Sequence, residues 1–338
     1  MKAFRISPVN IRVAVEKFPL KEPFHITGRT MLDAEVLTVE LEVDGAVGRG
    51  EASGVYYRQS DNPQHNAQQI EAVRSQLLAG MDREGLQSLL PPGGARNAVD
   101  CALWDLEAKV TGRPVWQLAG LQQPKALLTT FTVGANAPQK MAQDARAYEQ
   151  AKAIKLKLTG EAVDADRVRA VRKARPDVWL GVDANQGFTR ASLEALMPTL
   201  VEAGVQLIEQ PFRIGAENLL DGLESPIPVA ADESVQTSSD MPKLRGRFNV
   251  MNIKLDKCGG LTEALAMARE ATRLGLDVMV GNMVGTSLAM APAFLVGQMC
   301  KVVDLDGPVF LRNDRPVPVQ YENGKVFAPP QLWGSRTA

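Results

Sequence analysis

The chain has 338 residues, a length that suits one large domain with a smaller second one. Apolar residues make up 45% and charged residues 23%, and the net charge is −1, so no basic surface for nucleic acid or an anionic membrane is expected. No apolar run approaches the roughly 20 residues that cross a bilayer, and charged residues interrupt the N-terminal segment, unlike in a secretory signal. Three widely spaced cysteines predict buried thiols in a cytoplasmic protein.

The first third of the chain predicts an α+β domain. Apolar and polar residues alternate over 37–43, the period-2 pattern of a half-buried strand, and Asp44-Gly45 follows as a hairpin turn. Helices are predicted over about 66–79 and 95–110, the second ending before Gly112. We therefore expect an N-terminal α+β capping domain over residues 1–125, joined by the final segment, 316–338.

From residue 126 to residue 315, short apolar segments recur, each followed by a helical stretch. Such alternation indicates a parallel sheet in an α/β fold, and eight strands predict a closed (β/α)-barrel of TIM type. An open doubly wound sheet is the alternative, but it usually carries a glycine-rich phosphate loop, and the sequence has no G-x-G-x-x-G or Walker-type motif. The eight segments are TTFTVGA, AIKLKLTG, VWLGVDAN, VQLIEQP, IPVAADES, NVMNIKLDK, LDVMVGN and KVVDLDG.

Acidic residues follow three consecutive strands of this barrel: Asp183, Glu209 and Asp232. The carboxyl ends of barrel strands form the active-site face, so these side chains should converge. Converging carboxylates repel one another unless they share a cation, and a hard divalent ion, by default one Mg²⁺ per subunit, suits their oxygens. Each acid taken alone could instead be a solvated strand end or a helix cap, but their regular spacing favours a shared metal site.

Lysines occupy the same face of the predicted barrel. Period 2 turns Lys155 and Lys157 to one side of their strand, and Lys254 ends a strand on the opposite wall. A salt-bridge role is the alternative to catalysis. A lysine that acts as a base near neutral pH needs its pKa lowered from about 10.4 to about 7–8, and a neighbouring ammonium and a divalent cation would both lower it.

Taken in order, these motifs resemble the enolase superfamily, in its muconate-cycloisomerase-like subgroup. The resemblance implies an enolase-type barrel in which Lys157 and Lys254 act as acid and base on opposite faces of the substrate, assisted by Lys155. It also implies that Mg²⁺ stabilises an enediolate, with Glu233 supporting the metal ligands; branches that use histidine are disfavoured because both histidines lie before the barrel. The matching motifs are K-x-K, VDAN, IEQP, ADES, NIKLDKCGGL and, in the first domain, PPGGARNAVDCALWDLEAK.

A pair of acids, Asp304 and Asp306, follows the last strand. Two carboxylates that face one way suit an amine and repel an anionic group, although a helix cap and a turn aspartate would give the same letters. The pair resembles the D-x-D of dipeptide epimerases, where it binds the ammonium of the dipeptide. Through KLDKCGGLTEAL and ARNAVDCALWDL the resemblance extends to bacterial L-Ala-D/L-Glu epimerases, which implies a dipeptide from murein breakdown as the substrate. The near-neutral charge predicts no nucleic-acid or membrane partner, and a homo-oligomer is left open.

The side chain of the epimerised residue should be read by loops of the first domain. Arg29, in PFHITGRTML, matches the arginine that some of these enzymes offer to a glutamate carboxylate. An alignment shifted by two residues places Met31 there instead, and a solvated loop charge is a third interpretation of Arg29. Residues 54–58 form a second candidate specificity loop, and Met283, at the end of the seventh strand, is expected to line the site.

Other functions remain open at this point. Muconate cycloisomerisation, o-succinylbenzoate synthesis and N-acylamino-acid racemisation use the same machinery, but their substrates lack the free ammonium that an acidic pair would bind. A Schiff-base aldolase with Lys157 as nucleophile would not need three metal carboxylates. A non-catalytic barrel is disfavoured because every expected catalytic position is filled.

Overall fold

The computed structural model describes residue 5, residues 7–58 and residues 60–335. The outermost ends of the predicted first domain, residues 1–4 and 336–338, lie outside this part. The predicted fold class is confirmed, since a small antiparallel sheet precedes an eight-stranded parallel sheet whose strands alternate with helices. Within the same residues, no helix has the length and apolar character needed to cross a membrane.

The strands are β1 (Asn10–Ile26), β2 (Arg29–Val43), β3 (Ala46–Ala52), β4 (Leu127–Leu128), β5 (Thr130–Val133), β6 (Ala153–Lys157), β7 (Trp179–Asp183), β8 (Val205–Glu209), β9 (Val229–Ala231), β10 (Val250–Ile253), β11 (Asp277–Val280), β12 (Val302–Val303), β13 (Gln320–Glu322) and β14 (Lys325–Phe327). The α-helices are α1 (Pro63–Ala72), α2 (Arg74–Leu78), α3 (Arg83–Leu89), α4 (Gly94–Thr111), α5 (Val115–Leu118), α6 (Pro138–Ala147), α7 (Asp164–Ala174), α8 (Arg190–Glu202), α9 (Met241–Leu244), α10 (Leu255–Cys258), α11 (Leu261–Arg273) and α12 (Ser287–Gly297).

Strands β1, β2 and β3 form the antiparallel sheet of the N-terminal region. The predicted strand over 37–43 is the second half of β2, and the predicted turn is confirmed because Asp44 and Gly45 both have positive φ, as in a tight hairpin. The predicted helix over 66–79 is wrong in its extent. It begins earlier, where the Asn62 side chain accepts from the His65 N–H, and it breaks at Val73, whose backbone leaves the helical region.

Helix α4 joins this sheet to the barrel. The predicted helix over 95–110 is confirmed at nearly its full length, and almost every residue of α4 is buried. One side packs on β2 and β3. From the other side, the carboxylate of Asp100 accepts from the backbone N–H (2.9 Å) and hydroxyl (2.6 Å) of Thr262, at the start of α11, and Trp104 Nε1 also donates to that hydroxyl.

The parallel sheet runs in the order β5 to β12, one strand after another along the chain. Its first and last strands are joined by side chains, since Asp304 accepts from the Thr130 hydroxyl, and Asp306 Oδ2 accepts from the Thr132 N–H at 2.6 Å. The Leu305 N–H likewise donates to the Thr129 hydroxyl at 3.0 Å. These contacts close the sheet into a barrel.

The barrel interior changes from apolar to polar along its axis. Its lower layer is a separate apolar cluster built by inward-facing residues of four strands: Leu207, Ala230, Val250 and Met279. Two residues further along the chain from each of these, three positions carry polar side chains: Glu209, Asp232 and Asn252. The fourth position is Gly281. The functional face is therefore the carboxyl end of the strands, as in other TIM-type barrels.

The final segment contacts both parts of the chain. Strands β13 and β14 pair with β4 beside the barrel, while Trp333 Nε1 donates to the Arg49 carbonyl at 2.8 Å and the Gly334 N–H donates to Asp105 at 2.8 Å. The domain limits expected from the sequence stay a prediction.

Candidate active site

The two lysines of β6 face the barrel interior, as the period-2 pattern predicts. Lys155 and Lys157 are 3% and 7% exposed, and their intervening neighbours, Ile154, Leu156 and Leu158, pack in the core between barrel and helices. In the ladder, Lys157 lies opposite Asp183 of β7. Two ammonium groups therefore point into the carboxyl end of the barrel.

Lys254 follows β10 and reaches the same space from the other wall. It is 7% exposed. The neighbouring strand leaves room for it at Gly281, where a Cβ atom would lie only 2.9 Å from Lys254 Cε. The same Cβ atom would lie 2.8 Å from Asn252 Oδ1, so a larger residue at position 281 would have to shift both side chains.

Each of the two candidate catalytic lysines is bound to a predicted metal ligand. Lys157 Nζ lies 2.5 Å from Asp183 Oδ2, and Lys254 Nζ lies 2.6 Å from Asp232 Oδ2. The second oxygen of Asp232 accepts from Lys257 Nζ at 2.6 Å. The carboxylates and the lysines therefore occupy one network.

Lys155 connects the remaining acids of this network. Its Nζ lies 3.2 Å from Glu209 Oε2, 3.8 Å from Asp183 Oδ2 and in direct contact with Asp304 Oδ2. The Asp304 carboxylate also accepts from Thr130. Lys155 thus neutralises acids from three different strands, which is the salt-bridge role that the sequence left open beside its assisting role.

The pKa values show how strongly these groups interact. Burial alone would lower the pKa of Lys254, but the charges of Asp232, Glu209 and Glu233 raise it well above its ordinary value. Burial opposes the ionisation of Asp232, yet Lys254 and Lys257 hold its pKa below the usual range. The raised pKa of Lys254 is the opposite of the lowered pKa that is expected of a base from the sequence. The reason is that its hydrogen-bonded neighbour is the carboxylate of Asp232 and not a second ammonium.

Negative charge is in excess at this end of the barrel. Burial and the charges of Asp183 and Asp232 raise the pKa of Glu209 to about 7, and burial with the same two charges raises that of Glu233 to about 8. Six buried acids face four buried lysines, so two negative charges are left over when all are ionised. The acids are Asp183, Glu209, Asp232, Glu233, Asp304 and Asp306, and the lysines are Lys155, Lys157, Lys254 and Lys257.

These residues fit a divalent cation by charge and by donor type. Asp183, Glu209 and Asp232 offer the carboxylate oxygens that Mg²⁺ prefers, and the buried Glu233 Oε2 and Asn185 Oδ1 have no hydrogen-bond partner. Because the carboxylates are turned towards lysines, no three His, Cys, Asp or Glu side chains of the described residues are arranged to hold a metal together. The predicted ligand set therefore lies in one network but would have to exchange ammonium partners for the metal.

The acidic pair after the last strand is buried, with Asp304 2% and Asp306 3% exposed. Burial and the charge of Asp304 raise the pKa of Asp306 to about 6. Both carboxylates are used in closing the barrel, a role that the sequence did not predict. Neither is among the residues that line the cavity described next.

A cavity of about 320 Å³ opens above the network, between the barrel and the N-terminal sheet. The predicted residues Lys157, Lys254, Arg29 and Met283 all line it, and so does Met31, the alternative to Arg29. The Arg29 guanidinium lies 5.1 Å from the centre of the Tyr56 ring, close enough for a cation–π contact. The further lining residues are Phe24, Ile26, Asp33, Ala34, Glu35, Ser53, Gly54, Tyr56, Arg58, Asp61, Asn62, Pro63, Asn185, Asn282 and Val284.

Sequence reasoning missed residues that hold this network in place. Asn252 Nδ2 donates to Glu209 Oε1 at 2.7 Å. The Gln210 side chain accepts from the backbone N–H groups of Asp232 and Ser234, at 2.9 and 3.1 Å. Period 2 counted back from Lys254 would have found Asn252, but no pattern in the sequence pointed to Gln210.

Comparison with known families places the chain. Residues 8–120 match the N-terminal domain of mandelate racemase and muconate lactonizing enzyme, and residues 139–333 match the enolase C-terminal domain-like family. The chain belongs to the enolase superfamily. The resemblance noted from the sequence motifs is thereby confirmed.

Similar members of the superfamily are epimerases and racemases. The L-Ala-D/L-Glu epimerase of Escherichia coli is 39% identical over 94% of this chain and 98% of its own length. The N-acetyl-D-glutamate racemase of a Pseudoalteromonas species is 40% identical over 82% of this chain and 89% of its own length.

Solved structures of the superfamily share the whole fold. An enolase family member from Agrobacterium tumefaciens with homology to dipeptide epimerases, which holds sodium and L-Ala-L-Glu, superimposes with a TM-score of 0.93 at 41% identity and covers 96% of this chain and 99% of its own. A dipeptide epimerase from Methylococcus capsulatus, in complex with Mg and L-Arg-D-Lys, has a TM-score of 0.90 at 30% identity, with 97% of this chain and 99% of its own covered.

Replacing Lys155 by Met is expected to lower the free energy of unfolding by about 3–5 kcal/mol, because it leaves buried carboxylates without their partner. The double variant Lys155→Met/Asp304→Asn should recover part of that loss, since it also removes one of the stranded charges. Urea unfolding measures both values. Lys152→Met, which changes an exposed lysine just before β6, is the control; a Lys155→Met protein as stable as this control would contradict the expectation.

Proposed function

We propose that this protein is a dipeptide epimerase that moves a proton at the α-carbon of the C-terminal residue, with L-Ala-D/L-Glu as the leading substrate. The observation that carries the proposal is the placement of Lys157 and Lys254 on opposite walls of one cavity, above a network of buried carboxylates. Pockets for small ligands have volumes of about 300–1,000 Å³, so the cavity suits a molecule as small as a dipeptide.

Lys157 and Lys254 divide the proton transfer between them. A substrate α-carbon bound between the two walls would present one face to each lysine. One lysine, in its neutral form, would take the α-proton, and the other, as an ammonium, would donate a proton to the opposite face, which inverts the centre. Lys155, held by Glu209 and Asp304, would add positive charge below this point.

Asp183, Glu209 and Asp232 would hold Mg²⁺, with Glu233 beside them. When bound, the ion supplies positive charge at the substrate carboxylate, where negative charge develops as the α-proton leaves. The Mg complex of the Methylococcus capsulatus relative and the excess of buried acids over buried lysines at this barrel end support that assignment. The same carboxylates would then release their lysine partners for the substrate.

The acidic pair that follows the last barrel strand would provide the negative potential for the dipeptide's ammonium. Asp304 already accepts from Lys155 and Thr130 with its two oxygens. Asp306 is therefore the better candidate for direct contact. Met283 and Asn282 line the cavity from the preceding loop, and Asn282 Nδ2 donates to the Asp304 carbonyl at 2.8 Å.

N-acylamino-acid racemisation is the second candidate, favoured by the similarity to the N-acetyl-D-glutamate racemase. The two reactions share the proton transfer and differ in the group on the substrate nitrogen. A free ammonium gains from Asp304 and Asp306, whereas a neutral acyl group does not. The acidic pair therefore favours the dipeptide.

The decisive experiment incubates the purified protein with Mg²⁺ in D₂O and follows deuterium uptake by mass spectrometry. L-Ala-L-Glu, a panel of other L,L-dipeptides and N-acetyl-L-glutamate are compared. We expect fastest exchange with L-Ala-L-Glu and none after the metal is removed with a chelator. Exchange with N-acetyl-L-glutamate alone would favour the second candidate, and no exchange in any dipeptide would refute the proposal.

Separate Lys157→Ala and Lys254→Ala variants should each lose epimerisation by about 10³-fold, within the range of general acid–base contributions. Each should still exchange the α-proton of one diastereomer, because the remaining lysine faces it, and the two variants should prefer opposite diastereomers. L-Ala-L-Glu and L-Ala-D-Glu in D₂O distinguish these outcomes. Lys152→Ala is the control, and full turnover in either active-site variant would show that the two-base assignment is wrong.

Arg29→Met is expected to lower kcat/KM for L-Ala-L-Glu at least about tenfold, the equivalent of about 1.4 kcal/mol, because a guanidinium pairs well with a side-chain carboxylate. The same change should affect L-Ala-L-Ala little. Met31→Ala tests the alternative position. If it changes the preference for glutamate while Arg29→Met does not, the shifted alignment is correct.

A further inference from the structure

A loop of the N-terminal sheet covers the cavity from above. This β3 loop, residues 53–58, contributes Ser53, Gly54, Tyr56 and Arg58 to the lining, and Tyr56 is the ring on which Arg29 rests. The placement of the Arg29 side chain therefore depends on where this loop lies.

One carboxylate of the barrel holds the start of the loop. Asp256 Oδ1 accepts two backbone hydrogen bonds, from the N–H groups of Ser53 at 2.8 Å and of Gly54 at 3.1 Å. The Ser53 hydroxyl donates to the Val284 carbonyl at 2.9 Å, on the next barrel loop. Asp256 is 6% exposed, so its two donors have little water to replace it.

The loop has little freedom to take another path. Gly54 has a φ of +76°, and a Cβ atom on it would lie 2.5 Å from the Asp61 carbonyl oxygen. At the far end of the loop, the Arg58 guanidinium donates to the Lys257 carbonyl at 3.1 Å and to the Gln236 side chain. Both ends of the loop are thus tied to the barrel, and both Asp256 and Lys257 belong to the short helix α10 that follows Lys254.

We propose that Asp256 is a positioning residue that sets the β3 loop over the substrate side chain. It acts through Tyr56 and Arg29, and the side-chain hydrogen bonds described for it go to Ser53 and Gly54 and not to the metal ligands or the lysines of the proton transfer. Lys254 immediately precedes α10, the helix that contains Asp256. The position of the β3 loop is therefore fixed relative to one of the two proposed bases. This inference rests on the proposed function, since it assigns the loop to binding of the dipeptide's C-terminal side chain.

The conservative variant separates the acceptor from the charge. Burial raises the pKa of Asp256 to about 7 against the lowering by its backbone hydrogen bonds, and either protonation state keeps an oxygen that accepts from Ser53 and Gly54. Asp256→Asn keeps such an oxygen, whereas Asp256→Ala removes it. Asp100 is the matched control, because it is also buried, lies between the N-terminal region and the barrel, and accepts two hydrogen bonds from Thr262 without lining the cavity.

The test compares Asp256→Ala, Asp256→Asn and Asp100→Ala in the full-length protein. Hydrogen exchange measured by mass spectrometry on the peptide that contains 53–58 should be about tenfold faster in Asp256→Ala, near wild type in Asp256→Asn and unchanged in Asp100→Ala. Steady-state kinetics should show a KM for L-Ala-L-Glu raised about tenfold in Asp256→Ala alone, with kcat close to wild type and a smaller effect on L-Ala-L-Ala. Asp256→Leu, which also lacks an acceptor and is close to aspartate in shape, replaces Asp256→Ala if the latter does not fold.

Equal kinetics in Asp256→Ala and Asp100→Ala would overturn the proposal, because the carboxylate would then serve stability only. A fall in kcat without a rise in KM would overturn it as well, since the loop would not act on substrate binding. Should the wild-type protein turn over no dipeptide, the proposed function fails, and the hydrogen-exchange comparison still decides whether Asp256 holds the loop.

Discussion

The carboxyl end of this barrel depends on the mutual neutralisation of buried charges. A lone ammonium or carboxylate would be too costly to bury, yet Lys155, Lys157 and Lys254 all lie below 10% exposure. Each is bound to an acid from a different strand, so the ion pairs join separate strands of the barrel rather than residues of one element. The strands are consequently fixed relative to one another at the height where the chemistry would occur.

The network contains more buried acids than buried lysines, and this excess favours binding of a cation. A fully balanced set of pairs would have no affinity for a further ion. Here burial and the charges of Asp183 and Asp232 raise the pKa of Glu209 and of Glu233 towards neutrality, even though lysines lie nearby. The mutual repulsion of these carboxylates favours binding of a cation among them. When no cation is present, the same repulsion favours protonation of Glu209 and Glu233.

The sequence predicted what strand periodicity controls. The inward direction of Lys155 and Lys157, the opposing position of Lys254 and the eightfold alternation all follow from patterns of two residues and of one strand–helix unit. Contacts that arise when distant segments meet could not be predicted in this way. Asp304 binds Lys155 only because the last strand closes against the first, and Asp256 reaches Ser53 only because the N-terminal sheet docks on the barrel.

Local helix signals were also incomplete. The break at Val73, which divides the predicted helix into α1 and α2, has no glycine or proline to mark it. The start of α1 did carry a signal, because Asn62-Pro63 is a cap followed by a proline in the first turn. Apolar periodicity alone does not detect this capping signal, so the predicted helix begins too late.

The seam between β5 and β12 has a consequence for how the substrate range of such an enzyme can change over evolution. Asp304 and Asp306 bridge this seam through Thr130 and the Thr132 backbone, so a substitution at either position alters the closure of the barrel together with any contact to the ligand. The side chains of Arg29 and Tyr56 contact each other and take no part in this closure. Divergence towards new substrate side chains therefore meets fewer constraints at positions 29 and 56 than at positions 304 and 306.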